Sequence, residues 1–354
     1  MISRKTLTPE WLKQASAENK NADPILVEKV IRALFLLEGL AANKLSFIFK
    51  GGTALMLHIN SSRRLSIDID VIMPEKIDLQ PAFDKIVSEQ GFSRVVEQER
   101  TPGYAISKAH YKFYYQPLYK TAQQEEYVLL DILFEETKYT NLVQLPIDSV
   151  FVMQEGEPLP VTAPSLNDLL GDKLTAFAPY TTGIPYMKGG TTRAMEIIKQ
   201  LYDIGHLYEL SDHPETIAVT FEKFALTELG YRELEQNINI VLDDIYNTAL
   251  HICTRGKDGK GEFEALQLGL RQIKSYIFSE TYNIEKAIAH AAKAAYLSVL
   301  IRRKATVMER FTDPLIMESW VIEQPFNTRL NKLKKSNPEA FFYWYQIYSF
   351  SQEA

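Results

Sequence analysis

The chain has 354 residues, of which 46% are hydrophobic and 24% are charged, and its formal net charge is −6 at pH 7. These proportions are ordinary for a globular protein. The acidic balance argues against attraction of nucleic acid by the whole molecule, so any contact with RNA needs a local basic patch. The single cysteine, Cys253, excludes an intramolecular disulfide framework and a multi-cysteine zinc site.

The sequence has no feature of a membrane or exported protein. No uninterrupted apolar stretch approaches the roughly 20 residues that a membrane helix needs. The N-terminal segment lacks the apolar core of a signal peptide. We therefore expect a cytoplasmic protein that has no membrane partner.

The first half of the chain mixes predicted helices and strands. A helix within residues 1–45 is predicted by apolar residues at helix spacing: Val27, Val30, Ile31, Leu34 and Leu37. Next come a strand at residues 47–49, a helix from about Thr53 to Asn60, and strands at residues 66–72, 111–115 and 126–136. The last two strands are rich in aromatic and β-branched residues, which favour extended structure.

Helical patterns dominate the rest of the chain. Ser165 and Asp168 have the spacing of a helix cap and predict a helix that carries Lys173. After about residue 210 no strand is predicted, and residues 282–304 have a long helical pattern. The predicted fold class is α+β, with a mixed domain over residues 1–210 and a mostly helical C-terminal domain over residues 211–354.

Two adjacent features indicate phosphate chemistry. Gly51, Gly52 and Thr53 precede a predicted helix, and a glycine turn at a helix N-terminus binds phosphate because free backbone N–H groups and the helix dipole both point at the anion. In an extended segment Asp68 and Asp70 lie on one face, opposite the apolar residues between them. Two parallel carboxylates beside a phosphate site suit Mg²⁺. This combination predicts nucleotidyl transfer.

These residues also carry a family resemblance. KGGTAL, followed by Arg64, Ser66, Asp68 and Asp70 in the order Arg-x-Ser-x-Asp-x-Asp, resembles the AbiEii/AbiGii nucleotidyltransferase family. That family includes toxins of bacterial abortive-infection toxin–antitoxin pairs and resembles the wider polymerase-β-like superfamily. The resemblance covers residues 25 to about 210. It implies a polymerase-β-like nucleotidyltransferase core with a mixed sheet.

Two later segments follow the order of the family's motifs. DKLTAF carries Lys173 at a motif lysine, and RAMEIIKQLYDI carries Arg193 and Asp203 where the family tends to read R…KDLYDL. Gln200 stands where that motif has its first acid, so the charge there differs. The resemblance implies that Lys173 contacts the triphosphate as a point charge. It also makes Arg193 and Arg64 candidate contacts for phosphate or RNA.

A polymerase-like site needs a third carboxylate from a neighbouring strand. Asp131 interrupts the apolar run of residues 127–134, and we expect it beside the first acids, although it could also be a hydrogen-bonded or edge-strand aspartate. Asp203 is the other candidate, with an exposed helix pair to Lys199 as its alternative. For Lys173 the alternative is a solvated lysine. We expect Asp68, Asp70 and Asp131 to bind metal.

Together these observations predict a nucleotidyltransferase that moves an NMP from an NTP to an acceptor hydroxyl, with Mg²⁺ or Mn²⁺ as cofactor and pyrophosphate as product. The third carboxylate, Asp131 or Asp203, would orient or deprotonate the acceptor. The resemblance implies a tRNA 3′ end as acceptor, arrest of translation in phage defence, and a cognate antitoxin.

Two alternatives stay open. The first is a small-molecule or protein acceptor, which the acidic net charge favours slightly. The second is a module that binds nucleotide without turnover, and the intact Asp-x-Asp pair argues against it.

Overall fold

The structure, a computed structural model, describes residues 1–59, 64–98, 107–119 and 124–352. The chain divides into two compact units, Met1–Ser165 with Ser275–Thr281 and Leu166–Lys274 with Tyr282–Ala354. The domain boundary predicted after residue 210 lies inside the second unit and stays a prediction. No helix in the described ranges is long and apolar enough to cross a membrane.

The first unit begins with two helices whose starts are capped by polar side chains. α1 (Pro9–Glu18) follows Thr8, and α2 (Pro24–Ala42) follows Asp23. Each cap oxygen accepts a backbone N–H, and each helix starts with a proline, whose missing N–H costs nothing at that position. The consecutive residues 33–37 of α2 are all fully buried. This helix therefore lies within the core rather than on its surface.

A five-stranded mixed sheet forms the frame of the first unit. Its strands and intervening helices are β1 (Ile48–Lys50), α3 (Gly51–Ile59), β2 (Ile69–Met73), α4 (Gln80–Gln90), β3 (Arg94–Glu97), β4 (Lys108–Tyr115) and β5 (Glu126–Phe134). The strand order is β1-β2-β5-β4-β3, with β2 and β5 parallel and the other neighbours antiparallel. A hairpin of β6 (Leu142–Pro146) and β7 (Pro160–Pro164) packs beside β1.

The two faces of the sheet have different compositions. One face carries buried apolar side chains on the side of α2 and α4: Val71, Phe113, Val128, Leu130 and Ile132. The ring of Phe83 on α4 packs edge-on against Phe113, with 5.2 Å between centroids. Because side chains alternate along a strand, the opposite face carries Asp70, Asp131 and His110. The apolar face thus anchors the sheet, and the opposite face combines these polar side chains with apolar ones.

The second unit is built almost entirely of helices. They are α5 (Leu166–Ala176), α6 (Ala194–Leu210), α7 (Pro214–Tyr231), α8 (Ile238–Cys253), α9 (Phe263–Gln272), α10 (Ile284–Arg303), α11 (Leu333–Ser336) and α12 (Pro338–Gln352). A short hairpin, β8 (Met187–Lys188) with β9 (Thr191–Thr192), precedes α6. α10 packs against α6, α8 and α12 and forms the centre of this unit.

The predicted fold class is confirmed, with differences at the element ends. The strand predicted at residues 66–72 begins at Ile69, because β1 supplies partners only for residues 70–72 and β5 only for residues 69–73. Asp68 therefore lies just before β2. The helix predicted from Thr53 begins at Gly51, and its predicted end, Asn60, lies outside the described residues. In the described chain after residue 210 there is no strand, as predicted.

Candidate active site

Two glycines bring the start of α3 against the segment that leads into β2. Gly51 has φ +80°, a left-handed conformation that favours glycine, and a Cβ there would overlap the carboxylate of Asp70. A Cβ at Gly52 would lie 2.6 Å from both Arg64 Nη2 and Ser66 Oγ. Larger residues at either position would push the two segments apart.

Thr53 and Arg64 hold the same two segments together. The buried Thr53 hydroxyl donates to the Asp68 carbonyl at 2.6 Å. Arg64 is also buried, and its Nη1 donates to the Leu65 carbonyl at 3.2 Å. The backbone N–H of Leu65 donates to the Tyr276 carbonyl at 2.8 Å within the same unit. Hydrogen bonds thus hold the residues of the first family motif together within the first unit.

The structure brings two of the predicted acids side by side. Asp70 on β2 and Asp131 on β5 are register partners in the parallel pairing, so their side chains project from the same face of strands that lie about 4.8 Å apart. Asp68, one residue before β2, is exposed, while Ile69 between the two acids is fully buried. The Asp131 side chain is 30% exposed. Asp131 therefore lies beside Asp70, as expected, and its role as the third carboxylate stays a prediction.

Sequence reasoning missed His110, which contacts one of these acids. It lies on β4 as the register partner of Asp131, and its Nδ1 is 2.6 Å from Asp131 Oδ1. The alternation in KAHYKFYY already places Lys108, His110 and Lys112 on one face of a strand. The register of that strand against β5 could not be read from the sequence, so the partner of His110 could not be named.

Lys173 of α5 and Asp203 of α6 form a buried ion pair in the second unit. Lys173 Nζ lies 2.9 Å from Asp203 Oδ2, and the side chains are 8% and 1% exposed. The alternative of a solvated Lys173 is therefore wrong, and so is that of an exposed surface pair between Asp203 and Lys199. Two charges removed from water must compensate each other, so each side chain fixes the position of the other.

The other predicted residue of the second unit, Arg193, lies at the start of α6. It occupies the N-cap position, its side chain is 40% exposed, and its Nη1 donates to Glu196 Oε1 at 3.4 Å. Its expected contact with phosphate or RNA stays a prediction. The predicted capping residue Asp168 is buried and accepts a hydrogen bond of 2.6 Å from the Thr220 hydroxyl, which ties α5 to α7.

The residues of the sheet face fit a divalent cation that is shared with phosphate. Within the described ranges, no three His, Cys, Asp or Glu side chains are grouped closely enough to hold a metal ion by themselves. Mg²⁺ is usually bound by one or two carboxylates together with substrate phosphates. Asp70 and Asp131 supply such carboxylates, and the missing Cβ of Gly51 brings the start of α3 against Asp70. A phosphate bound at that helix end would lie beside this carboxylate.

Three solved structures show a distant similarity to the chain. A candidate nucleotidyltransferase from H. pylori is 16% identical over 80% of this chain and 96% of its own, with a TM-score of 0.42. A second Helicobacter pylori protein is 15% identical over 86% of this chain and 94% of its own, with a TM-score of 0.41. An antigenic nucleotidyltransferase-like protein from Paracoccidioides brasiliensis is 14% identical over 54% of this chain and 78% of its own, with a TM-score of 0.33.

The similarity of the chain to a known family covers more residues than the motifs do. No curated protein matched the chain. The profile of the family described as nucleotidyl transferase AbiEii toxin, of type IV toxin–antitoxin systems, matches residues 34–341. This match extends well past residue 210, where the resemblance carried by the motifs ends. The chain belongs to the AbiEii family of nucleotidyl transferase toxins.

Proposed function

We propose that this AbiEii nucleotidyltransferase moves a nucleoside monophosphate from an NTP to a hydroxyl at a tRNA 3′ end, and that it requires Mg²⁺ or Mn²⁺. The observation that carries the proposal is the pairing of Asp70 with Asp131 next to the glycine-led start of α3. Carboxylates on one face and a phosphate-binding helix end are the two parts that phosphoryl transfer requires.

The start of α3 would bind the triphosphate. The first backbone N–H groups of a helix have no partner within it, and Gly51 and Gly52 have no side chain of their own to cover them. Thr53 would contribute its backbone N–H, since its hydroxyl already donates to the Asp68 carbonyl. Ser66, beside Gly52, would donate its hydroxyl to the same phosphates.

The acids of the sheet face would act at the reacting phosphate. Asp70 and Asp131, together with the NTP phosphates, would hold the divalent cation, which when bound neutralises charge on the phosphates and favours an in-line displacement. Metal binding by Asp68 stays a prediction. The acceptor oxygen bonds to the α-phosphorus while the bond to the bridging oxygen breaks, and pyrophosphate leaves with that electron pair. Asp131 would receive the proton of the acceptor hydroxyl and pass it to solvent.

Asp203 has a different role in this proposal. Its carboxylate is buried and paired with Lys173, so it would orient the ammonium group rather than accept a proton from the acceptor. The predicted contact of Lys173 with the triphosphate rests on the family resemblance. Arg193 is proposed as a further phosphate contact because its side chain remains partly exposed.

The experiment that tests the proposal follows the label of α-³²P-labelled NTPs into tRNA, protein and small-molecule fractions. We expect label in tRNA that depends on divalent metal and is lost both with Asp70→Asn and with periodate-oxidised tRNA, which has no 3′-terminal hydroxyls. Label in protein or small molecules but not in tRNA would show that tRNA is not the acceptor. No transfer from any NTP to any fraction would overturn the proposal.

Membership of a toxin family of this kind implies an antitoxin. We propose that its gene lies beside that of the toxin. Co-expression of the neighbouring open reading frame should restore growth of cells that express the toxin. Continued arrest with both genes expressed would refute this assignment of the antitoxin.

A further inference from the structure

Four charged or titratable side chains form one row across the sheet. Lys50 on β1 pairs in register with Asp70 on β2, Asp70 with Asp131 on β5, and Asp131 with His110 on β4. Register partners project from the same face, so the row runs across four adjacent strands. Its order is lysine, aspartate, aspartate, histidine. Asp70 therefore has a lysine, and Asp131 a histidine, as its register partner on the side away from the other carboxylate.

The contact at the end of this row is short and mostly shielded from water. His110 Nδ1 lies 2.6 Å from Asp131 Oδ1, and the His110 side chain is only 12% exposed. At 2.6 Å the contact is slightly shorter than the roughly 2.7–2.9 Å of charge-assisted N–H···O bonds to a carboxylate, which are strong and geometrically specific. The bond fixes Oδ1, and because a carboxylate is planar it restricts where Oδ2 can point.

The neighbourhood on the same strand shows that the contact is specific to His110. Lys112, two residues further on the same face, is the register partner of Leu129. Its ammonium lies 4.1 Å from the centroid of the Tyr127 ring, so it packs on an aromatic side chain. Among the side chains described on this face of β4, that of His110 contacts Asp131.

We propose that His110 is a positioning residue for Asp131: its Nδ1–H holds Oδ1 and so aims Oδ2 at the acceptor hydroxyl beside Asp70. This inference rests on the proposed function, in which Asp131 receives the acceptor proton. The start of α3 would bind the triphosphate without help from His110. Loss of His110 should therefore lower kcat and leave the KM for NTP nearly unchanged.

Three substitutions separate positioning from packing. His110→Leu removes the donor, His110→Asn keeps a donor at the δ position, and His110→Gln moves it one bond further out. For a group that orients another functional residue, we expect about a 10- to 100-fold loss of kcat with leucine. Asparagine should restore most of the rate, and glutamine should restore less. The matched control is Lys112→Leu, which removes a cation from the same face of the same strand.

A double-mutant cycle tests whether His110 acts through Asp131. In the Asp131→Asn background, His110→Leu should cause little further loss of kcat, because residues that act as one unit are not additive. Melting temperatures of all variants should show that they fold. Equal fold-losses from His110→Leu in both backgrounds, or a leucine variant as active as wild type, would overturn the inference.

The hydrogen bond itself has a spectroscopic signature that needs no turnover. The protein is labelled with ¹⁵N-histidine, and the His110 signals are assigned by their absence in His110→Leu. We expect the chemical shift of Nδ1 to be that of a protonated nitrogen and to change in the Asp131→Leu variant. A bare Nδ1, or a signal that ignores Asp131→Leu, would refute the contact. A wild-type protein that transfers no nucleotide would instead refute the proposed function, so the two failures can be told apart.

Discussion

The Asp70 carboxylate lies between two charged register partners and against the start of α3. Its register partners are Lys50 on one side and Asp131 on the other. The start of α3 lies so close that Gly51 has no space for a Cβ. The negative charge of Asp70 acts on Asp131 and on the start of α3. Removal of this charge should therefore affect the reaction more than the fold.

We expect Asp70→Asn to lower the rate of nucleotidyl transfer by at least about 100-fold, because several kcal/mol of charge stabilisation are lost and each 1.36 kcal/mol is about tenfold in rate. The control Asp243→Asn removes an exposed partner of Arg302 and should change the rate little. Both rates are measured at saturating NTP. Similar rates for the two variants would remove Asp70 from the reacting centre.

Gly52 provides a second test at the scale of single residues. Gly52→Ala places a methyl group 2.6 Å from Arg64 Nη2 and Ser66 Oγ, so the start of α3 must move where phosphate would approach. We expect a loss of NTP affinity of about tenfold or more, equivalent to about 1.4 kcal/mol, in calorimetric titrations. Gly230→Ala is the control, since its nearest neighbour would lie at 3.6 Å. Unchanged affinity in Gly52→Ala would place the triphosphate elsewhere.

At the scale of elements, the Lys173–Asp203 pair joins α5 to α6. Removal of one partner leaves a buried charge uncompensated, which costs about 3–5 kcal/mol. We expect Lys173→Met and Asp203→Leu each to lower the free energy of unfolding by about this amount in urea denaturation. The double variant should lose much less than the sum. Additive losses would mean that the two side chains do not depend on each other.

A histidine on α10 packs directly against α6. Its imidazole fills the space where Gly205 lacks a side chain, and a Cβ on that glycine would overlap the ring. The Tyr282 hydroxyl lies 3.3 Å from His290 Nδ1. Burial, with smaller contributions from Lys293, His206 and Lys286, lowers the pKa of His290 well below its usual value. The imidazole is therefore neutral in the folded protein.

This depressed pKa makes the second unit sensitive to acid. Below about pH 6.5 this histidine binds a proton in the unfolded chain but not in the folded protein. The free energy of unfolding therefore decreases as the pH falls toward the lower pKa of the folded state. We expect the melting temperature of wild type to fall between about pH 7.5 and pH 5 more steeply than that of His290→Gln. The raised pKa values of Glu28, Glu38 and Asp244 act in the opposite direction and are common to both proteins. Parallel curves would contradict this account.

For the whole molecule, membership of a toxin family leads to a growth test. We expect induction of wild type in a bacterial host to arrest growth and Asp70→Ala to restore it at equal protein level, because the acid pair is proposed to be essential for transfer. Immunoblots and melting curves verify that the variant is present and folded. Equal arrest by both proteins would separate toxicity from nucleotidyl transfer.

Local pattern was sufficient for much of the fold. The helices α2, α5 and α10 and the strands β4 and β5 have strong apolar periodicity or caps, and each was predicted close to its observed place. The hairpin of β6 and β7 and the edge strand β3 were missed. The edge strand β3 is mostly exposed, and its pairing with β4 rather than its own sequence makes it a strand.

By itself the sequence determined the family, the fold class, and the glycine turn followed by an Asp-x-Asp pair, because these depend on the order and spacing of residues close together in the chain. Only the tertiary structure decided which distant residues meet. The register of β5 against β2 and β4 placed Asp131 between Asp70 and His110. The packing of α5 on α6 buried Lys173 against Asp203. Register and burial arise from contacts between segments far apart in sequence, so local spacing cannot encode them.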